Sequence, residues 1–374
     1  MNFEQSYRNL ISGQRHGGIP GLLRFLLGIA AIGYSLAVRY CNFMYSRGWL
    51  KAHRVDAVVI CVGNITVGGT GKTPLVVWLG RHILQNFQFR ISNFGCAILT
   101  RGYKAAQKSI SKAQNYTDEV AIYAESCAGT KVIVNPDRVA GAAEAIREFD
   151  AQVFIMDDGF QHRAMARDLD IVAIDATEPF GYGKMLPAGL LREPVSSLKR
   201  AGAVVITRCD QIDGAELNEL EKKLRAINPD MVIARSIHAA LYTKSTNNEE
   251  VGIEQLKGKK IFAFCGIGNP DAFLNTIKNL GAELAGSKIY DDHYHYTDAC
   301  LTEISEQAVE LGADLILTTQ KDWTKVISNP EFQMSESKSP LPFAYLAIEI
   351  KFLAGEDKLT ALIKDTLAGK IRQK

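Results

Sequence analysis

The strongest constraint on this chain is a short glycine-rich segment. Residues 57–62 (AVVICV) are an unbroken apolar run, residues 74–84 carry apolar positions at helical spacing, and TVGGTGKT lies between them at 66–73. Strand, glycine turn and helix in that order bring backbone N–H groups and a helix N-terminus to one point, which suits phosphate oxygens. The expected nucleotide-binding residues are Thr66, Val67, Gly68, Gly69, Thr70, Gly71, Lys72 and Thr73. Lys72 is expected to reach β- and γ-phosphates, and the Thr73 hydroxyl to serve Mg²⁺. Thr66 stands where such loops usually begin with glycine. Val67 stands where partition-type ATPases carry a second lysine. An ordinary glycine turn is the alternative, and Gly-Lys-Thr in this setting disfavours it.

Strand-like runs recur at 96–100, 131–134, 153–156, 171–174 and 204–207, with helical patterns such as 137–148 and 215–226 between them. This alternation implies a mainly parallel sheet covered by helices. A polar stretch, TKSTNNEE at 243–250, interrupts it. The alternation then resumes, with strands expected at 261–264, 284–289, 315–318 and 343–350 and helices at 270–280, 297–311 and 358–367. The expected fold is α/β, with a P-loop NTPase-type, mainly parallel sheet bearing helices on both faces and a second, smaller α/β domain. The expected boundaries are 1–235 for the first domain, 236–255 for a linker or hairpin, and 256–374 for the second domain.

Composition narrows the function. A formal net charge of +2 over 374 residues argues against a nucleic-acid binder held by a large basic face. Seven cysteines without a Cys-x-x-Cys pair suit reduced thiols better than a disulfide framework or a zinc site. One apolar run, FLLGIAAIGYSLAV at 25–38, lies between Arg24 and Arg39. As a helix it would rise about 21 Å, short for a bilayer core of about 30 Å. It is expected to lie on a membrane surface, with a membrane span and a plain core helix as the alternatives. Residues 153–156 form another apolar strand, which ends in Asp157 and Asp158. Carboxylates at a strand end beside a phosphate loop can hold Mg²⁺.

The segment DDGFQHR at 157–163, together with GNITVGGTGKTP at 63–74, closely resembles the tetraacyldisaccharide 4′-kinase family. The resemblance continues through TRGY (100–103), TDE (117–119), NPDR (135–138), LPAGLLREP (186–194), FCGIGNP (264–270), DH (292–293) and TQKD (319–322), in order along nearly the whole chain. It implies an ATP- and Mg²⁺-dependent kinase acting on the 4′-hydroxyl of a tetraacyl glucosamine disaccharide 1-phosphate, the lipid A precursor of Gram-negative bacteria. By resemblance, Asp118 is the general base and His293 its partner. Lys72 and Asp158 are catalytic, Thr73 and Asp157 serve the metal, and Gln161, His162, Arg192 and Glu193 lie on the substrate side. The resemblance further implies the cytoplasmic face of the inner membrane, with the apolar helix at about 22–42 as the attachment. The implied partners are the lipid-linked disaccharide and the membrane surface, with no nucleic acid and no protein partner.

The chain departs from the family pattern at Gln320, where glutamate is common, at Thr117, where glycine is common, and across 104–116, which lacks glycine-rich character. A reading of another class is a P-loop GTPase or metallochaperone-like switch. It rests on TRCD at 207–210, which is faintly similar to a guanine-reading Asn/Thr-Lys-x-Asp with Arg208 in place of lysine. A strand end followed by a helix-capping Asp is the plainer reading of the same residues. A cytosolic small-molecule kinase is a further alternative.

Overall fold

The structure, a computed structural model, describes residues 3–87, 95–102, 118–246, 249–292, 294–327 and 339–371. The elements of the first part of the chain are α1 (Phe3–Ile11), α2 (Gly18–Ser46), β1 (Val58–Gly63), α3 (Lys72–Phe87), β2 (Gly95–Thr100), α4 (Asp118–Ser126), β3 (Lys131–Val134), α5 (Arg138–Phe149), β4 (Ala151–Asp157), β5 (Leu169–Asp175), β6 (Ala203–Thr207), α6 (Gly214–Ile227) and β7 (Val232–Ser245). There follow β8 (Glu250–Gly252), β9 (Lys260–Cys265), α7 (Pro270–Asn279), β10 (Glu283–Ile289), α8 (Asp298–Glu310), β11 (Leu315–Thr319), α9 (Gln320–Ile327), β12 (Phe343–Ala354) and α10 (Glu356–Ile371). The chain forms two compact units, a larger one of Tyr7–Ile237 with Ile350–Lys374, and a smaller one of Met1–Ser6 with His238–Glu349.

In the larger unit the strand order is β7-β6-β5-β1-β4-β2-β3. Every neighbouring pair along it is parallel. β1 lies inside the sheet and is buried along its whole length. Side chains alternate across a strand, so Val58, Ile60 and Val62 pack with Leu75, Leu79 and Ile83 of α3 on one face. Val59 and Cys61 pack with Ala142 and Ala145 of α5 on the other. A strand covered on both faces needs apolar residues at consecutive positions, which is why 57–62 shows no alternation.

The smaller unit has the order β10-β9-β11-β12-β7, with β8 antiparallel to β7. Its two cores use the same alternation. Phe262 and Phe264 face Leu301 and Ile304 of α8, while Ile261 and Ala263 face Phe273 and Ile277 of α7. The TQKD segment turns inward here. Asp322 is fully buried, and its carboxylate accepts from the Gly266 N–H at 3.0 Å, the Thr319 hydroxyl at 2.7 Å and Lys325 Nζ at 3.1 Å.

The structure differs from the sequence expectations in several places. Residues expected as a linker from 236 belong in part to the long strand β7. Polar Ser236 hides it in the sequence, because that side chain is buried and donates to Ile206 O at 3.0 Å. The C-terminal helix α10 packs in the larger unit rather than extending the smaller one, through Leu359, Ile363 and Leu367. Helices α1, α4 and α9 were not anticipated. Finally, α2 runs from Gly18 to Ser46, beyond the apolar run at 25–38 and the expected helix at about 22–42, and so spans about 43 Å. By length and composition it could cross a bilayer core of about 30 Å.

The placement of α10 has a measurable consequence. Leu359→Ala is expected to cost about 2–5 kcal/mol, the usual range for emptying a buried leucine site. Urea unfolding monitored at Trp78, whose ring lies 4.8 Å from that of Phe352 in the same unit, should show the loss. A midpoint equal to the wild type would refute the packing.

Candidate active site

The phosphate loop leaves β1 at Gly63, where the chain passes unusually close to Phe160. A Cβ at position 63 would lie 2.6 Å from Phe160 Cβ, so only glycine fits. Within the loop, Gly68 (φ 118°) and Gly71 (φ 83°) take backbone conformations that side chains disfavour. The segment 190–193 flanks the loop and holds it. The Val67 N–H donates to Leu190 O at 2.7 Å and the Arg192 N–H donates to Ile65 O at 2.8 Å. Inside the loop, Asn64 Nδ2 donates to Thr70 Oγ1 at 3.0 Å. Lys72 opens α3 and reaches outward, placing Nζ 3.2 Å from Asp158 Oδ1.

Asp157 ends β4, and Asp158 follows with φ 48°. That left-handed conformation is costly for a residue with a side chain and is sustained mostly at functional turns. The Asp158 carboxylate lies between Lys72 and Arg192, whose Nη1 is 3.0 Å from Oδ2. Partial burial would raise its pKa, but 39% of the side chain remains exposed. The two cations and their hydrogen bonds outweigh the burial and hold Asp158 well below the usual carboxylate range. Asp157 behaves oppositely. Burial first, and the negative charge of Asp158 second, push it up to about 6. Thr100 Oγ1 donates to its Oδ2 at 3.4 Å.

These residues suit a hard cation. The buried Tyr123 hydroxyl lies beside Thr73 and Asp157 without a hydrogen bond of good geometry among the described residues. At Asp157 the charge of Lys72 does not offset burial and the neighbouring Asp158, and a bound cation would reverse the shift. Among the described residues no group of three or more His, Cys, Asp or Glu could form an all-protein cage. One or two carboxylates completed by substrate phosphates are the usual setting of Mg²⁺.

The expected substrate-side residues divide. Gln161 turns under the loop, where its Nε2 donates to Asn64 O at 2.8 Å. His162 is half-buried, and burial, then the charges of Arg138 and Arg167, lower its pKa. Arg192 is partly exposed and sits on Asp158. Glu193 departs from the expectation. It is 2% exposed, and its carboxylate accepts from Asn42 Nδ2 (2.8 Å), Ser197 Oγ (2.7 Å) and Arg200 Nη2 (3.0 Å). It anchors α2 to the segment beside the phosphate loop. A further bond joins the same pieces, from Tyr34 Oη to Arg192 O at 3.2 Å, and Arg163 Nη1 of the acidic turn donates to Asn42 O of α2 at 2.9 Å.

Asp118 is the first residue of α4. Val120, Ile122 and Tyr123 bury that helix, and the charge of Glu119 is felt at Asp157, so the start of α4 lies on the side of the phosphate loop. His293 and Thr117 lie outside the described residues. Next to His293 in the chain, Asp292 pairs with Lys321 at 3.0 Å. Sequence reasoning assigned no role to Arg138. It is 4% exposed, and its Nη2 donates to Asp157 O at 3.4 Å, adding positive charge beneath the carboxylates. A signal was present: Asp137 caps α5 through Val139 N and Ala140 N, and an arginine in the first turn opposes the helix dipole.

Comparison with known proteins agrees with this geometry. The family model for tetraacyldisaccharide-1-P 4′-kinase (LpxK) matches residues 23–368. The tetraacyldisaccharide 4′-kinase of Halothermothrix orenii is 33% identical over 339 residues, covering 85% of this chain and 86% of its own length. That of Elusimicrobium minutum is 36% identical over 320 residues, covering 82% and 83%. The crystal structure of the "apo" form of LpxK from Aquifex aeolicus in complex with ATP superposes with a TM-score of 0.67 at 28% identity, covering 92% of this chain and 99% of that one. The chain described here, with its phosphate loop, paired aspartates and LREP segment, belongs to the tetraacyldisaccharide-1-P 4′-kinase family.

Proposed function

We propose that the chain transfers the γ-phosphoryl group of ATP to the 4′-hydroxyl of a tetraacylated disaccharide 1-phosphate, the lipid A precursor, and works at a membrane surface. The observation that carries this reading is the family match, which spans the phosphate loop, both aspartates and the Arg192 segment. Kinship with an LpxK solved with ATP supports ATP as the donor.

The chemistry follows from the residues. Loop N–H groups and Lys72 bind the phosphates, with Lys72 exchanging Asp158 for the incoming nucleotide. Thr73 and Asp157 would hold Mg²⁺, which supplies charge neutralisation to the β- and γ-oxygens. Asp118 accepts the 4′-hydroxyl proton as that oxygen bonds to the γ-phosphorus. The bond from phosphorus to the bridging oxygen breaks, and its electron pair leaves on ADP. His293 is the partner that orients Asp118. Arg101, Arg163 and Arg192 are the candidates for the existing 1-phosphate, with Gln161 and His162 nearby in the acidic loop.

The membrane assignment rests on α2. Its residues Phe25, Leu26, Ile29, Ile32 and Leu36 are each more than half exposed, an apolar surface that water does not favour. Its polar contacts to the larger unit leave this surface outward. The acyl chains of the substrate would then remain in the bilayer on the cytoplasmic face while the sugar meets the phosphate loop.

Three outcomes are expected. Lys72→Ala should abolish phosphoryl transfer, assayed with labelled ATP and lipid disaccharide, with an unchanged melting temperature. Near-normal turnover would defeat the assignment. Asp118→Ala should lower kcat by roughly 10²–10⁴, the usual contribution of general-base assistance, with KM for ATP little altered. A change confined to KM would refute its role as base. Phe25→Glu combined with Ile32→Glu should release the protein from sedimenting vesicles containing anionic lipid, without lowering the melting temperature, because both side chains are exposed. Wild-type protein that stays in the supernatant would end the membrane assignment.

A further inference from the structure

The segment that faintly resembles a guanine reader has another occupation. β6 lies two strands from β1 in the order β6-β5-β1, and both run parallel, so Thr207 and Arg208 emerge at the same edge of the sheet as the phosphate loop. Arg208 takes a left-handed backbone conformation, φ 55°, uncommon for a residue with a side chain. Its guanidinium is buried and ion-paired with Asp175 at the end of β5, and its Nη2 donates to Gly69 O in the phosphate loop at 2.8 Å. Thr207, fully buried, donates from Oγ1 to Thr70 O at 3.0 Å. Asp175 is fixed in turn, because its Oδ1 accepts from Thr177 N (3.1 Å) and Thr177 Oγ1 (2.8 Å).

We propose that Thr207 and Arg208 are positioning residues for the nucleotide: they draw the Gly69 and Thr70 carbonyls towards β6 and so set the N–H groups of the phosphate loop for phosphate. The inference rests on the phosphate loop being the ATP site. In a trans peptide the carbonyl and the following N–H point in opposite directions. Anchoring Thr70 O on Thr207 therefore turns the Gly71 N–H away from β6, free for phosphate, while anchoring Gly69 O holds the Thr70 N–H in the tight turn it closes on Gly68 O at 3.0 Å, which fixes the loop's shape. A glycine-rich loop is otherwise free to point carbonyls at the ligand, where they would repel an anion. A buried ion pair is rarely retained for stability alone, because well-packed apolar residues serve as well. Here the guanidinium does what an apolar residue could not, bonding a carboxylate and a loop carbonyl together. It also leaves no role for Arg208 as a guanine reader.

The test uses Arg208→Lys and Thr207→Val in the full-length protein, with ATP affinity by titration calorimetry, KM for ATP and for lipid measured separately, and the melting temperature. Lysine can meet Asp175 or Gly69 O but not both, and valine removes only the hydroxyl. Each variant should weaken ATP binding about tenfold, as expected for losing a buried hydrogen bond that orders a binding loop, and leave KM for lipid within about twofold. A variant that melts earlier while its ATP affinity stays at the wild-type value would overturn the proposal, since the bonds would then serve folding alone. If Arg208→Lys fails to fold, Thr207→Val decides by the same affinity measurement. Lys72→Ala is assayed beside them: turnover surviving in it would overturn the phosphate-loop reading itself, and the positioning role with it.

Discussion

Two parallel strands, β1 and β4, lie side by side with Val62 opposite Asp157, so the chain leaves both at the same level. From that register the whole site follows. One exit becomes the phosphate loop and the other becomes the acidic turn, and the contact of Gly63 with Phe160 locks the two exits together. The left-handed backbone at Asp158 then reverses the chain and brings its carboxylate to Lys72, although the two residues are far apart in sequence. A side chain at position 63 would drive the exits apart and separate the lysine from its counter-ion before any nucleotide arrived.

Neighbouring aspartates in this turn have opposite electrostatic fates, and depth decides which is which. Asp158 reaches two cations and remains ionised. Asp157 stays in the sheet, where burial and its neighbour's charge raise its pKa. The consequence for nucleotide binding is an exchange of anions. Phosphate entering the loop competes with Asp158 for Lys72 and Arg192, so charge attraction contributes the difference between two arrangements and not the sum of new pairs. Discrimination then depends on how well the loop amides are aimed, which the bonds from 190–193 on one side and from β6 on the other determine.

Much of this was legible in the sequence because it is local. The strand–loop–helix order at 57–84 and the apolar strand before Asp157 are set by neighbouring residues, and the structure realises both. What was not legible depends on distant partners. Glu193 reads as a polar residue in a family motif, and only the fold reveals Asn42, Ser197 and Arg200 around it. Ser236 and Thr243 break the apolar pattern of β7 because their hydroxyls find carbonyls on other strands. The length of α2 was underestimated because its first residues, from Gly18, and its last, with Tyr45 and Ser46, extend the helix beyond its apolar stretch. The role of Arg208 was hidden in the same way, since a loop carbonyl on another strand leaves no mark in sequence.

Arg192 is gripped from three directions. Its N–H holds Ile65 in the phosphate loop, its side chain holds Asp158, and its carbonyl receives the Tyr34 hydroxyl from α2. Next to it, Glu193 binds Asn42 one helical stretch further along. Helix α2 is thus a lever whose fulcrum is the residue pair that shapes the nucleotide loop. It cannot tilt about Tyr34 and Asn42 without pulling on Arg192, the residue whose N–H fixes Ile65. On the proposed membrane attachment, a tilt of α2 would reach the phosphate loop through Arg192.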